Sequence, residues 1–437
     1  MENGPVGGAD KYARVDRDIL SAMKRPGRLY LAGLALAASL AVMLHLLWAY
    51  QVHSGLGVVG KMHPVMWALY ITNFVFRVGI AHSGTLISAV LYLFQARYRT
   101  AFNRAAEAMT VFALMVAGLF PLIHLGRSWV FYFLLPYPTQ RQIWPNFRSP
   151  LVWDVFAVGT YFTVSAVFFY VGMIPDFAVA RRHAEGIRRK VYAALSLGWH
   201  GTGRQWKHYT MLYLFLASFA TPLVASVHSV VSWDFAMSIV PGWHTTIFAP
   251  YFVAGAILSG TAMVITLVVP MRKSLGLQAY ITDDHFESIA KILLLTSLIV
   301  TYAYIIEFGL AWYGGNVFEI ESFRYRLFGD YRYCTWTMLF CNSVVPLTLF
   351  SKRLRRDTRH LFVVSILVNV GMWLERFVII VTSLTRDYDP YAWGLYKPTF
   401  VDIGIDIGSF GLFFTLYLLF VKTLPVLSIS EIKEHLR

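Results

Sequence analysis

Two arginines stand deep inside long apolar runs, with no loop close enough to make them snorkelling ends: Arg77, and Arg376 beside Glu375. An ionisable group at membrane depth is costly and is rarely kept without a role. Five more ionisable residues fall at the ends of four consecutive runs, at ends that share one side: His124 in GLFPLIHLGR, Asp154 in RSPLVWDVF, His228 and Asp234 in VHSVVSWDF, and His244 in VPGWHTTIF. A neutral imidazole accepts a hydrogen bond and then a proton near pH 6.5, and a carboxylate does the same from the other edge of a ring. Oxidising a hydroquinone can use that pair, because two hydroxyls must lose protons as two electrons leave. The spacing also suits a proton relay or the substrate pocket of a secondary transporter. A lone membrane histidine or helix-end aspartate is more often a packing or capping residue.

A deeper set accompanies them. Asn73 and Arg77 share a helix face, as do Asp402 and Asp406. Glu307, Glu375, Asn369 and His82 lie in other runs. They read either as a proton path (Asn73, Arg77, His82, Glu307 and Glu375) or as buried ion pairing between helices, which suits Asp402 near the surface. A haem b held by two imidazoles is a further alternative, with His124 and His228 as ligands, or His45. His82 stands alone at the opposite side.

The elements that must position these groups are apolar runs at 29–50, 65–95, 105–126, 150–175, 209–232, 245–271, 287–313, 333–350, 360–384 and 402–424. Each is close to the roughly 20 residues that span a bilayer. The chain of 437 residues is 57% hydrophobic and 14% charged, which leaves no segment for a soluble domain. The fold class is therefore an all-α polytopic membrane protein with about ten transmembrane helices. The eighth, rich in Thr and Cys, is the weakest, and Pro121, Pro222, Pro250 and Pro346 interrupt others. The net charge of +14 sits in loops, so it speaks of topology and anionic lipid rather than nucleic acid.

Lys and Arg fix the expected orientation. The two terminal tails and the loops after spans 2, 4, 6 and 8 hold 27 of them, and the alternate loops hold 9. Both termini are thus expected in the cytoplasm of a multi-pass cytoplasmic (inner) membrane protein. The segments 127–149, 314–332 and 385–401 then face outward, with Trp129, Tyr132, Trp144, Trp233, Trp243, Trp312 and Trp393 as an interfacial belt. The start of the chain carries no pattern of a cleavable leader. Cys334 and Cys341 are too far apart on one helix, about 10 Å of rise, for a disulfide. No C-x-x-C or C-x-x-C-H is present, so neither an iron–sulfur cluster nor a c-type haem is expected on this chain, and no metal site is assigned.

The strings FPLIHLGRSWVFYFLLPYP, IWPNFRSPLVWDVFAVGTYF, VASVHSVVSWDFAMSIVPGWHTTIFAPYFVAGAI and NVGMWLERFVIIVTSL resemble the NrfD/polysulfide reductase membrane-subunit family, over about residues 20–425. They resemble most the branch of quinol-oxidising membrane subunits of alternative complex III. The resemblance implies two four-helix bundles plus two flanking helices. The corresponding division is a tail over 1–28, a flanking helix and loop over 29–64, bundles over 65–244 and 245–401, and a final helix and tail over 402–437. It implies quinol (menaquinol or ubiquinol) as bound substrate at the outer face. It also implies a periplasmic iron–sulfur subunit, a multihaem cytochrome c subunit and a second NrfD-like membrane subunit as partners. By motif, His124 and Asp154 look like the quinol-contacting, catalytic pair, and Asp234, Arg376 and, more weakly, His228 like supporting positions. The remaining alternative within the resemblance is that second NrfD-like subunit, without a quinol site.

Overall fold

The computed structural model describes residues 8–23, 26–135 and 147–435. Trp144 and about half of the first long outward loop lie outside the described residues, as does part of the N-terminal tail. The described chain is helical without strands, and ten of its helices are long and apolar enough to cross a bilayer. Lipid offers backbone groups no partner, so each span satisfies its own.

In chain order the helices are α1 (Gly8–Ser21), α2 (Arg28–Ser54), α3 (Leu69–Leu93), α4 (Asn103–His124), α5 (Pro150–His183), α6 (Gly186–Leu195) and α7 (Gly203–Ala236). They continue with α8 (Phe248–Ser274), α9 (Asp283–Gly314), α10 (Val317–Phe328), α11 (Arg332–Phe350), α12 (Thr358–Thr382), α13 (Phe400–Thr423) and α14 (Ile429–His435). The spans are all of these except α1, α6, α10 and α14. α11 is the shortest and least apolar span. α1 packs on α14, and Lys433 pairs with Asp16, so the two described ends lie together. That side is called terminal below and the opposite side distal.

α3 and α8 pack against each other at the centre and are enclosed almost throughout. α4, α5 and α7 gather around α3, and α9, α11 and α12 around α8. α2 and α13 are the two flanking helices. They form a close pair, seated on α4 and α3. Gly408 and Gly411 of α13 lie so near the backbone of α2 that a Cβ on either would strike it, the small-residue contact by which helices associate in lipid.

The helix breaks fall elsewhere than at the prolines alone. Pro121 and Pro222 lie within helices, but Pro250 sits in the first turn of α8, where its missing N–H costs nothing. Wide π-type turns occupy Leu86–Val90 in α3, Phe340–Val344 in α11 and Val378–Thr382 in α12. Each lies near or contains a buried polar residue: His82, Asn342 and Arg376. Such turns recur at functional sites because the extra residue re-aims the side chains around it. Among the aromatics, Trp129 and Trp312 are exposed, but Trp243 is not part of a belt: it is buried and donates to the Ile379 carbonyl at 2.7 Å.

Candidate functional site

The distal end of α5 and that of α7 carry the same dipeptide, Trp153-Asp154 and Trp233-Asp234. The indoles meet edge to face, 6.0 Å between centroids. The two carboxyl groups lie within hydrogen-bond reach of each other, and Asp154 is buried. Two carboxyl groups so placed can share a proton. The Oδ1 atom of each has no other partner among the described residues.

His124 closes α4 on the same side. Its neighbour is Lys61, in the loop between α2 and α3. Lys61 Nζ donates to the His124 carbonyl at 2.9 Å and lies 3.4 Å from His124 Nδ1. The next carbonyl, Ile123, accepts from Gln51 at 2.8 Å, and Tyr70 donates to Gln51 at 2.7 Å. The ammonium sits 5.1 Å from the centroid of the Tyr70 ring. Burial lowers the Lys61 pKa to about 8, against the opposing field of Asp402.

His228 does not share the depth of the aspartates. It is buried against His82, with 4.7 Å between ring centroids. His82 is therefore not without a second histidine beside it, contrary to the expectation from sequence. Rings in contact leave no room for a porphyrin between them. His82 also stacks on Tyr161, whose hydroxyl bonds Thr85 at 2.7 Å. His82 Nδ1 is tied to the Val78 carbonyl, but its Nε2 and both nitrogens of His228 have no partner among the described residues. Buried polar atoms of this kind are where ordered water is expected.

Arg376 lies within electrostatic reach of His228 and over the face of Phe252, 4.3 Å from its centroid. Its Nη1 is 2.9 Å from Glu375 Oε1 but not aligned as a hydrogen bond. Glu375 accepts from Tyr304 and, at 3.5 Å, from Asn342. Gly255 makes room for the pair: a Cβ there would stand 2.9 Å from Arg376 Nη2. Glu307 pairs with Arg326 of α10 at 2.9 Å, and Arg326 also donates to Ser383 at 2.6 Å. His244 lies before α8, half exposed, and pairs with Glu319 at 3.2 Å.

Asn73 and Arg77 belong to a separate cluster. Arg77 donates to Ser409 of α13 at 2.8 Å, faces the charge of Asp406, and covers the Phe410 ring at 4.0 Å. Asn73 accepts from Trp373 at 2.9 Å. Asp402 caps its own helix, accepting from the Thr399 and Gly60 backbone N–H groups at 2.9 and 2.7 Å. Asn369 bonds Thr266 at 3.3 Å.

Lys61, Arg326 and a terminal-side cluster are polar groups that the sequence pattern does not single out. In that cluster Arg104 bonds Glu107 at 2.8 Å and Asp176 at 2.9 Å, and Tyr213 donates to Glu107 at 3.1 Å. A cavity of about 10 Å³ beside it is lined by Thr85, Ser88, Glu107, Thr110 and Ser165, space for a single water. In one dimension Arg104 and Arg326 pass for loop cations. Lys61 does leave a weak signal: it is the single cation of its loop, on the cation-poor side. No group of three His, Cys, Asp or Glu side chains among the described residues is disposed to hold a metal ion.

Residues 57–386 match the family described as Polysulphide reductase, NrfD. The match takes in α3 through α12 and leaves α2 and α13 outside. A Halobacterium salinarum protein named as a membrane component of dimethyl sulfoxide reductase is 27% identical over 424 residues, 92% of each chain. A component of the selenate reductase of Mesobacillus selenatarsenatis is 23% identical over 386 residues, 82% of this chain and 86% of its own.

Proposed function

Because this chain belongs to the polysulphide reductase NrfD family, we propose that it is the membrane subunit of an electron-transfer complex and takes quinol, menaquinol or ubiquinol, from the bilayer. The hydroquinone is held at the distal side between His124 on α4 and the Asp154–Asp234 pair on α5 and α7. One hydroxyl gives its proton to the imidazole and the other to the carboxyl pair. The electrons pass to an iron–sulfur cluster on a partner subunit docked at that side. The isolated chain has no turnover of its own, because it offers the electrons no acceptor. The observation that carries this reading is a pair of carboxyl groups, Asp154 buried and Asp234 partly so, each with an unpartnered oxygen, at the same end of the bundle as a histidine.

The cation-rich terminal side supports a cytoplasmic location for both ends in the cytoplasmic membrane, with the distal side outward. Two complexes suit such a subunit. In the alternative complex III type, the partners include a multihaem cytochrome and a second NrfD-like subunit. In the other, a catalytic subunit reduces a sulfoxide or an oxyanion, and the names of the two relatives favour it. The reading extends to proton movement. Glu307, Glu375, Arg376, His228 and His82, with Tyr161, Thr85 and Glu107, form a file of buried polar groups from the distal to the terminal side. Asn73 and Arg77 stand apart from it, against α13.

The test is quinol oxidation by the whole complex. His124→Ala and Asp154→Asn are expected to abolish it while the complex still assembles. Normal turnover in both variants removes the site.

A further inference from the structure

The loop between α2 and α3 folds a lysine against the back of the histidine assigned above. Lys61 reaches both the carbonyl and the Nδ1 side of His124, and among the described residues it has no carboxylate partner within ion-pair distance. Asp402, the acid in its field, already accepts two backbone N–H groups. The groups that face the amine are His124 from α4, the Tyr70 ring from α3 and Asp402 from α13. Asp402 is engaged by backbone N–H groups and the Tyr70 hydroxyl by Gln51, so the imidazole is the titratable group whose nitrogen the amine meets.

We propose that Lys61 is the positioning residue and proton relay behind His124, setting which ring nitrogen faces the quinol. The inference rests on the quinol-site reading. As an ammonium, Lys61 donates to Nδ1, so the neutral imidazole carries its hydrogen on Nε2. In that form His124 donates to a quinone carbonyl and cannot take a hydroxyl proton. As a free amine, Lys61 accepts from Nδ1–H, and Nε2 presents its lone pair to the substrate. A quinol hydroxyl then gives its proton to Nε2 as the Nδ1 proton moves to Lys61. The second hydroxyl gives its proton to the Asp154–Asp234 pair, and the two electrons leave to the partner's iron–sulfur cluster. Ammonium and amine exchange within the working range of pH, because burial brings the Lys61 pKa down to about 8.

The experiment is a pH profile of kcat/KM, from pH 6 to 10, for menadiol oxidation by the whole membrane complex with ferricyanide as acceptor. In the wild type, kcat/KM is expected to rise about tenfold per pH unit and level off above about pH 8, as the amine loses its proton. Lys61→Met and Lys61→Gln are expected to lose that limb, Gln keeping the bond to the His124 carbonyl should Met disturb assembly. Lys61→Arg, always charged, is expected to lower kcat/KM at pH 9 by about a hundredfold. A limb near pH 8 that survives in Lys61→Met or Lys61→Gln, with His124→Ala inactive, overturns the relay and leaves the site standing. Full activity in His124→Ala overturns the site itself.

Discussion

In the proposed quinol site Asp154, buried, and Asp234, less so, act through one shared proton, so neither carboxyl is replaceable without loss. Asn at either position keeps the shape and can donate to the remaining carboxylate, yet it cannot accept a proton. Each single variant, Asp154→Asn or Asp234→Asn, is expected to lower quinol oxidation by about a hundredfold or more, the usual worth of a general base. The double variant is expected to be little worse than either, since the pair acts as a unit. Stopped-flow turnover of the assembled complex measures both, and independent, multiplying losses would argue against a shared proton. Asp154, Asp234 and His124 were legible in the sequence because a charge at the end of an apolar run is conspicuous against lipid. Lys61 and Arg326 were not, because a loop cation and a cation folded back into the bundle look the same in one dimension. His228 was placed wrongly in depth for a related reason. It lies six residues before Asp234, about 9 Å down the helix, and only packing shows that this distance takes it from the distal site to the ring of His82.

At the scale of elements, the ten spans were read nearly in full, since length and apolarity alone decide them. Their pairing was not. The sequence cannot say that α2 and α13 meet, and glycine spacing on α13 has meaning only against the ridge it receives. The contact makes two expectations. Gly408→Ile drives a branched side chain into the α2 backbone; overpacking costs about 1–3 kcal/mol in ordinary cores, and the Tm of the purified complex is expected to fall. Arg77 ties this helix pair to α3, and losing one member of a buried charged contact costs about 3–5 kcal/mol. Arg77→Met and Asp406→Leu are each expected to destabilise the protein, and the Arg77→Met/Asp406→Leu double variant to recover most of the loss. Thermal unfolding in detergent reads all three. If the double variant is as unstable as the sum of the singles, the two charges are not coupled. The π-type turns near His82 and Arg376 carry no residue that announces them in the sequence, whereas the one at Phe340–Val344 runs into Pro346. They follow from the packing of polar side chains between helices.

Across the whole molecule, the polar groups divide into those that fasten helices and those that line up. Arg77 and Asp406 fasten α3 to α13. Glu307, Glu375, Arg376, His228, His82, Tyr161, Thr85 and Glu107 pass from one four-helix cluster into the other, crossing at the α3–α8 seam where Gly79 and Gly260 keep the backbones close. A file of polar groups is adjacency, and coupling needs its own evidence. The two classes respond differently to the same measurement. Glu107→Gln and Glu375→Gln keep size and most hydrogen bonding but end proton exchange at their positions. If protons cross by this file, each is expected to lower the proton-to-electron ratio in proteoliposomes while quinol oxidation continues uncoupled. The Arg77→Met/Asp406→Leu variant, outside the file, is expected to keep the wild-type ratio. An unchanged ratio in both glutamate variants would mean that these buried charges only hold the two clusters together. Equal losses in all three variants would point to general leakiness instead, because the fastening pair has no route to the proton path except through the stability of the bundle.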